Sequence, residues 1–169
     1  MKLFNRVVLT TFVAVALFSC SSKEEQFIGT WVAECEEEVM GLTFLSQKES
    51  LTLNKDNSFT QCFTYFNDDS LYDTLATTSI NGSWTINKNC LEMEYDTTTI
   101  VVTCEDEDIK DIFYDNLLGN VVFANDELAK AHKEDAQYGI QNAVVKDSVL
   151  ISKENIEDES GEVIYTKAQ

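Results

Sequence analysis

His132 and five cysteines are the side chains of this 169-residue chain whose ordinary chemistry suits base, nucleophile or soft-metal work near neutral pH. His132 lies in "AKAHKED", on the polar side of an expected helix, and reads as a solvated histidine. Catalysis needs acid, base and nucleophile converging in space. No Gly-x-Ser-x-Gly, Gly-rich phosphate loop or His-Glu-x-x-His spacing suggests such a convergence. The acidic runs Glu34-Cys35-Glu36-Glu37-Glu38, Glu105-Asp106-Glu107-Asp108 and Glu157-Asp158-Glu159 could offer oxygens to calcium. None has the alternating ligands and central glycine of an EF-hand loop, so they read as solvated edges. The chain therefore reads as a non-enzyme, with no catalytic residue, metal or cofactor expected.

Cys20 has a different chemistry open to it. Lys2 and Arg6 are followed by an uncharged run, Val7–Phe18, about 18 Å long as a helix against a hydrocarbon core of roughly 30 Å. That is an export signal rather than an anchor. At its end, Leu17-Phe18-Ser19-Cys20 resembles the lipobox of bacterial lipoproteins. The resemblance implies a signal peptide over 1–19 and a thioether-linked diacylglycerol on Cys20, whose acyl chains, palmitate among them, hold the protein in a bilayer. Ser21-Ser22-Lys23-Glu24-Glu25 is similar to the lysine-plus-acidic tether with which one group of Gram-negative anaerobes sends lipoproteins to the cell surface. Residues 20–26 are read as that tether, and the protein as lipid-anchored in the outer membrane, facing outward.

Removing residues 1–19 leaves 150, enough for one domain with a real core. Lys2 and Arg6 are the only charges in that segment, so the net charge goes from −18 to −20. Arg6 is also the only arginine, so the mature chain lacks the guanidinium fork used on phosphates and guanine edges. Such acidity repels phosphate backbones and excludes nucleic-acid binding. Cys35, Cys62, Cys90 and Cys104 remain, an even count that suits up to two disulfides in an oxidising compartment. A hairpin over "CLEMEYDTTTIVVTC" with a three-residue loop would pair Cys90 with Cys104. A one-residue shift would instead pair Leu91 with Val102 and send the cysteines to opposite faces. Both registers stay open.

From Phe27 to Cys104 the apolar period is two. "SLTLNKDNSFTQCFTYF" reads as two strands joined near Lys55-Asp56-Asn57, with Leu51 and Leu53 on one face and Phe59, Phe63 and Tyr65 on another. "INGSWTIN" alternates Ile80, Trp84 and Ile86 with polar residues, and "CLEMEY" alternates Leu91, Met93 and Tyr95 with Glu92 and Glu94. Such alternation marks antiparallel strands with one buried face. Then the period lengthens. Ile109, Ile112, Phe113 and Leu117 fall at helical spacing behind an acidic first turn, and "NDELAKAHKEDAQYGI" reads as a second helical stretch with Asn125 as its N-cap. Strand character returns in "NAVVKDSVLISK" and "GEVIYTKA", around an acidic loop at 154–161.

Ile28-Gly29-Thr30-Trp31 resembles the Gly-x-Trp element that opens the first strand of lipocalins, and "LTLNKDNSFT" and "GSWTINKNCLEMEY" are similar to hairpins of lipocalin-like bacterial lipoproteins. The resemblance covers about residues 27–104 and implies a mainly β fold: an antiparallel up-and-down barrel over 27–169, its end plugged by Trp31 where Gly29 lets the chain turn. Two departures stand beside it. The family's late arginine over the tryptophan is missing, and a helical insertion at about 106–138 precedes the last strands. The resemblance implies a small hydrophobic ligand in the barrel, with Phe59, Phe63, Tyr65, Trp84 and Tyr95 as its candidate lining. The alternative is a solid barrel acting as scaffold for a cell-envelope protein. Ser70, Thr74, Thr97 and Ser148 stand in Asp-Ser/Thr-apolar or Asp-Thr-Thr tripeptides resembling the O-glycosylation acceptor of the same anaerobes.

Overall fold

The computed structural model describes residues 24–37, 45–66, 73–87, 90–134, 142–146, 149–156 and 159–168. Five strands come first: β1 (Gly29–Glu37), β2 (Leu45–Leu53), β3 (Ser58–Phe66), β4 (Thr74–Asn87) and β5 (Cys90–Cys104). One helix, α1 (Glu107–Glu134), separates them from β6 (Asn142–Lys146), β7 (Val149–Ile156) and β8 (Glu159–Lys167). The strands form one antiparallel sheet in the order β5-β4-β3-β2-β1-β8-β7-β6. The chain therefore meanders, except that its last three strands join the sheet at β1, where Trp31 lies opposite Lys167.

The expected hairpin at Lys55-Asp56-Asn57 is present, and each part of it has a cause. Asp56 Oδ1 accepts from the Ser58 amide at 3.1 Å and its hydroxyl at 2.6 Å, bending the chain, and Asn57 takes the left-handed φ of 64° that asparagine tolerates. These two bonds also hold the Asp56 carboxyl below its ordinary range. The turn then meets β4: Trp84 N–H donates to Asn57 O at 2.8 Å, and its indole to Asn54 O at 3.1 Å. The faces differ from expectation. Leu53 pairs with Phe59 and Leu51 with Gln61, so the leucines and the aromatic residues of β3 share a single face.

The segment "CLEMEYDTTTIVVTC" is one strand, not a hairpin. Between Asn81↔Asp96 and Ser79↔Val101 the register advances two residues on β4 and five on β5, so β5 carries a three-residue bulge. Asp96 shapes the bulge as it would have shaped a turn, its Oδ1 accepting from the Thr98 amide at 3.0 Å and hydroxyl at 2.6 Å. An odd insertion reverses the alternation. Leu91, Met93 and Tyr95 face the core before it; Ile100, Val102 and Cys104 do so after it. Cys90 and Cys104, at opposite ends of the strand, are on the order of 40 Å apart, against the roughly 6 Å between Cα atoms that a disulfide needs. That pairing is excluded. Cys62, Cys90 and Cys104 are thiols, and no disulfide joins the described residues.

As far as Glu134 the two helical stretches are one 28-residue helix, about 42 Å long, and the rest of the second stretch lies outside the described residues. Asp106 caps it, its Oδ1 accepting from the amides of Asp108 at 2.9 Å and Ile109 at 3.3 Å. Asn125 is therefore no N-cap; it lies inside the helix and has another task. Its Oδ1 accepts from the Tyr95 amide at 2.9 Å while its Nδ2 donates to the Tyr95 carbonyl at 2.8 Å. A side-chain amide thus takes the place of a neighbouring strand at the outer edge of β5. This is why hydrogen bonding ends at β5 rather than closing the expected barrel: α1 covers that edge. The other edge, β6, approaches β5 without a ladder between them. The acidic segment at 154–161, expected as a loop, is mostly paired strand, Glu154 lying opposite Gly161 and Ile156 opposite Glu159.

The sheet curls around its core. One apolar cluster takes side chains from all eight strands, among them Trp31, Leu51, Phe59, Trp84, Leu91, Leu150 and Tyr165, with Val145 at its margin. A second cluster joins Tyr65 and Ala76 to Phe113 of α1, and a third joins Ile80 to Leu117 and Val121. Phe27, just before β1, is the first buried residue among those described, and its carbonyl accepts from Trp31 Nε1 at 2.7 Å.

Candidate functional site

Among the described residues, two buried carboxylates, Glu49 and Glu92, organise the polar side chains. The first, Glu49, stands on the core face of β2 with Leu51 and Leu53. Its Oε1 accepts from Gln61 Nε2 at 2.6 Å and from the Tyr165 hydroxyl at 2.9 Å. Gln61 reaches it from β3 and Tyr165 from β8, so three strands converge on one oxygen. Beside them on the same face, Gln47 is 3% exposed and Thr78, on β4, is 0% exposed. Gln47 Oε1 and Thr78 Oγ1 have no hydrogen-bond partner.

The second, Glu92, is on the opposite face of β5, where the last turns of α1 cover it. It is 4% exposed, with Asn87 Nδ2 donating to Oε1 at 2.8 Å and His132 Nε2 at 2.9 Å from Oε2. His132 is thus not merely solvated: its side chain is 53% exposed, and one nitrogen is tied to the sheet. Cys90 lies two residues from Glu92, packed under Ala131 and Leu128. Cysteine, histidine and carboxylate together invite comparison with a nucleophilic triad, but the electrostatics run the wrong way. Burial, and then the Glu92 charge, push the Cys90 thiol above its ordinary value of 9.0, whereas a nucleophilic cysteine needs its thiolate stabilised. The arrangement can fasten the helix end to the sheet.

This placement has a measurable consequence. Cys90 is expected to react with iodoacetamide at least about tenfold more slowly than Cys62 or Cys104 in the folded chain, read by peptide mass spectrometry. Because folding raises its pKa, its share of stability is complete below pH 9.0 and lost as pH rises through the folded value. Urea midpoints compared at pH 8 and pH 10 should therefore fall further for the wild type than for Cys90→Val. Equal falls would show that the thiol titrates alike in the folded and unfolded chain and is not raised by burial.

The five candidate lining residues are not gathered at one place. Phe59, Trp84 and Tyr95 belong to the cluster around Trp31, where the Phe59 and Tyr95 rings meet edge to face at 5.2 Å. Phe63 and Tyr65 pack toward α1, the Tyr65 ring 4.4 Å from that of Phe113. Gly29 and Trp31 do meet a partner. Lys167 Nζ stands over the Trp31 ring at 5.1 Å, and a Cβ on Gly29, whose φ is +135°, would lie 2.8 Å from Lys167 Cε. The cation over the tryptophan is thus a lysine from the last strand, seated across a residue that must be glycine.

No protein-family model matches the chain, and no curated protein matches it.

Among the other expected sites, Thr74 is exposed at the start of β4 and Thr97 is half-buried in the β5 bulge. The signal peptide at 1–19, Cys20, Ser70 and Ser148 lie outside the described residues, as does the side chain of Cys35. Of the acidic runs, Glu34 is exposed and 3.6 Å from Lys48, and Glu105–Asp108 leads into α1, with Asp106 as its cap and Glu107 and Asp108 in its first turn. No described group of three metal-ligating side chains gathers in one place, and no described helix is long and apolar enough to cross a membrane. The polar set around Glu49 was readable as a pattern. In "LSQKESLTL" and "SFTQCFTYF" the residues Gln47, Glu49 and Gln61 share the parity of the core leucines and phenylalanines, and a charge at a core position is the signal of a site.

Proposed function

We propose that this protein is a lipid-anchored, surface-facing outer-membrane lipoprotein whose curled, unclosed sheet is an incomplete lipocalin-like barrel holding a small, mostly apolar molecule. The anchor rests on Leu17-Phe18-Ser19-Cys20 and the tether behind it. The barrel reading is supported by the meander, by Trp31 buried at the start of β1, and by Lys167 over its ring. The observation that carries the binding role is the polar set of Glu49, Gln61, Tyr165, Gln47 and Thr78, buried inside an otherwise apolar interior. Buried polar groups cost stability unless they are satisfied, and a site for one oriented ligand is an apolar surround with a few placed polar groups.

Native mass spectrometry of the chain from residue 20 onward tests this. The expected result is an adduct of a few hundred daltons, roughly the size of a single small-barrel ligand, that is lost on denaturation. A second reading is a solid barrel that serves as scaffold for an envelope protein. It is favoured by the close packing of Phe59, Trp84 and Tyr65 and by Phe123 of α1, 68% exposed. A bare mass after mild extraction from membranes would support that reading instead.

A further inference from the structure

We infer that the interior selects its ligand by a hydrogen-bond-donating head, an alcohol or an amine, over a carboxylate, because Gln47 and Thr78 leave buried acceptor atoms unpaired on one core face. This rests on the binding role just proposed and adds the chemistry of the head group.

Gln47 Oε1 is an amide carbonyl and can only accept; Thr78 Oγ1 can donate or accept. The large majority of buried side-chain polar atoms have a partner, so two orphans on one core face ask for a common explanation. Gln47 and Glu49 are two residues apart on β2, about 6.6 Å along the strand and on the same face. Glu49 lies opposite Phe63, which lies opposite Thr78, placing Thr78 two strands away, about 9.5 Å across the sheet. Between them on the same face, from β3, stand the stacked rings of Phe63 and Tyr65, 6.5 Å apart at 28°.

The geometry therefore offers acceptors at one side and aromatic surface beside them. Phe63, Ile109 and Ile112 in this cluster are only partly buried, so an apolar tail has exposed surface to cover here. A head with an O–H or N–H supplies what Gln47 Oε1 lacks, and a hydroxyl also suits Thr78. A carboxylate supplies no donor and would place a second anion beside Glu49, whose Oε1 already accepts from Gln61 and Tyr165.

Isothermal titration of the chain from residue 20 onward at pH 7.5 with 1-decanol and with decanoate separates the cases. The acidic surface weighs against decanoate equally in the wild type and the variants, so the change in the ratio on substitution reads the head-group contact. Decanol should bind at least about tenfold more tightly than decanoate, the worth of one well-placed hydrogen bond. Gln47→Leu and Thr78→Val should each reduce that ratio, so the second variant serves if the first fails to fold. Decanoate binding as tightly as decanol would overturn the inference and leave the binding role standing. An unchanged ratio in both variants would also overturn it. Binding of neither probe would overturn both, with bound water alone completing Gln47 and Thr78.

Discussion

Gly82→Ala is expected to destabilise the protein by about 3 kcal/mol, at the top of the range for overpacking a core. The cause is space rather than backbone conformation. A Cβ at position 82 would lie 2.1 Å from the Glu94 carbonyl oxygen and 2.5 Å from Phe59 Cε1. A ring can turn aside, but the carbonyl belongs to the neighbouring strand, so β5 would have to move away from β4. Just there β5 is least able to adjust. Tyr95, opposite Gly82, is held on its other edge by the two bonds its backbone exchanges with the Asn125 side chain, and its ring meets Phe59 over the glycine. The substitution therefore strains a strand pair, an aromatic contact and the helix–edge clasp together. Thermal unfolding should show a Tm lower by roughly 6–12 °C. Gly119→Ala is the matched control: a Cβ there meets nothing within 4 Å on the helix surface, and alanine should raise stability by about 0.5–1 kcal/mol. If both variants lose stability alike, the close approach at Gly82 is not what the structure shows.

How far the sequence could lead depended on how local the cause was. The β2–β3 turn was legible because Asp56, Asn57 and Ser58 form it among themselves. The helix start was legible for the same reason, in Asp106 and the acidic turn behind it. The β5 bulge was not. Asp96 and Thr98 make the same local bonds whether the chain reverses or only bulges, and the choice falls to β4, whose length lets one 15-residue strand pair on both sides of the insertion. Asn125 misled for a similar reason. A short polar amide within a helical stretch reads as a cap from sequence, yet its partner, Tyr95, is thirty residues away on a strand edge. The Glu49 set needed the pairing of β2 with β3 and the return of β8 to β1 before Gln61 and Tyr165 could meet one oxygen. Nothing along the chain announces a contact between Glu49 and Tyr165, 116 residues apart.

Trp31→Ala should cost about 3–5 kcal/mol, the range for deleting a fully buried large aromatic side chain, and lower Tm by roughly 6–20 °C. Trp31 is 0% exposed and lies where the ends of the domain come together. Its indole N–H holds the Phe27 carbonyl before β1, its backbone pairs with Leu51 on β2 and Lys167 on β8, and Lys167 Nζ lies over its ring. Truncation removes the central side chain of the largest cluster, leaves the Phe27 carbonyl to water and takes the ring from beneath the lysine. Graded substitutions divide these losses. Trp31→Phe keeps most of the apolar bulk and should cost about 1 kcal/mol more than the volume change alone, for the lost indole bond. Lys167→Ala should cost only about 0.5–1 kcal/mol, because the ammonium is exposed. The deciding measurement is the double mutant. If the lysine acts through the ring, Lys167→Ala should cost almost nothing in the Trp31→Ala background. A cost that persists there would mean that Lys167 stabilises β8 by some other contact, and that the cation over the tryptophan contributes nothing to holding the first and last strands together.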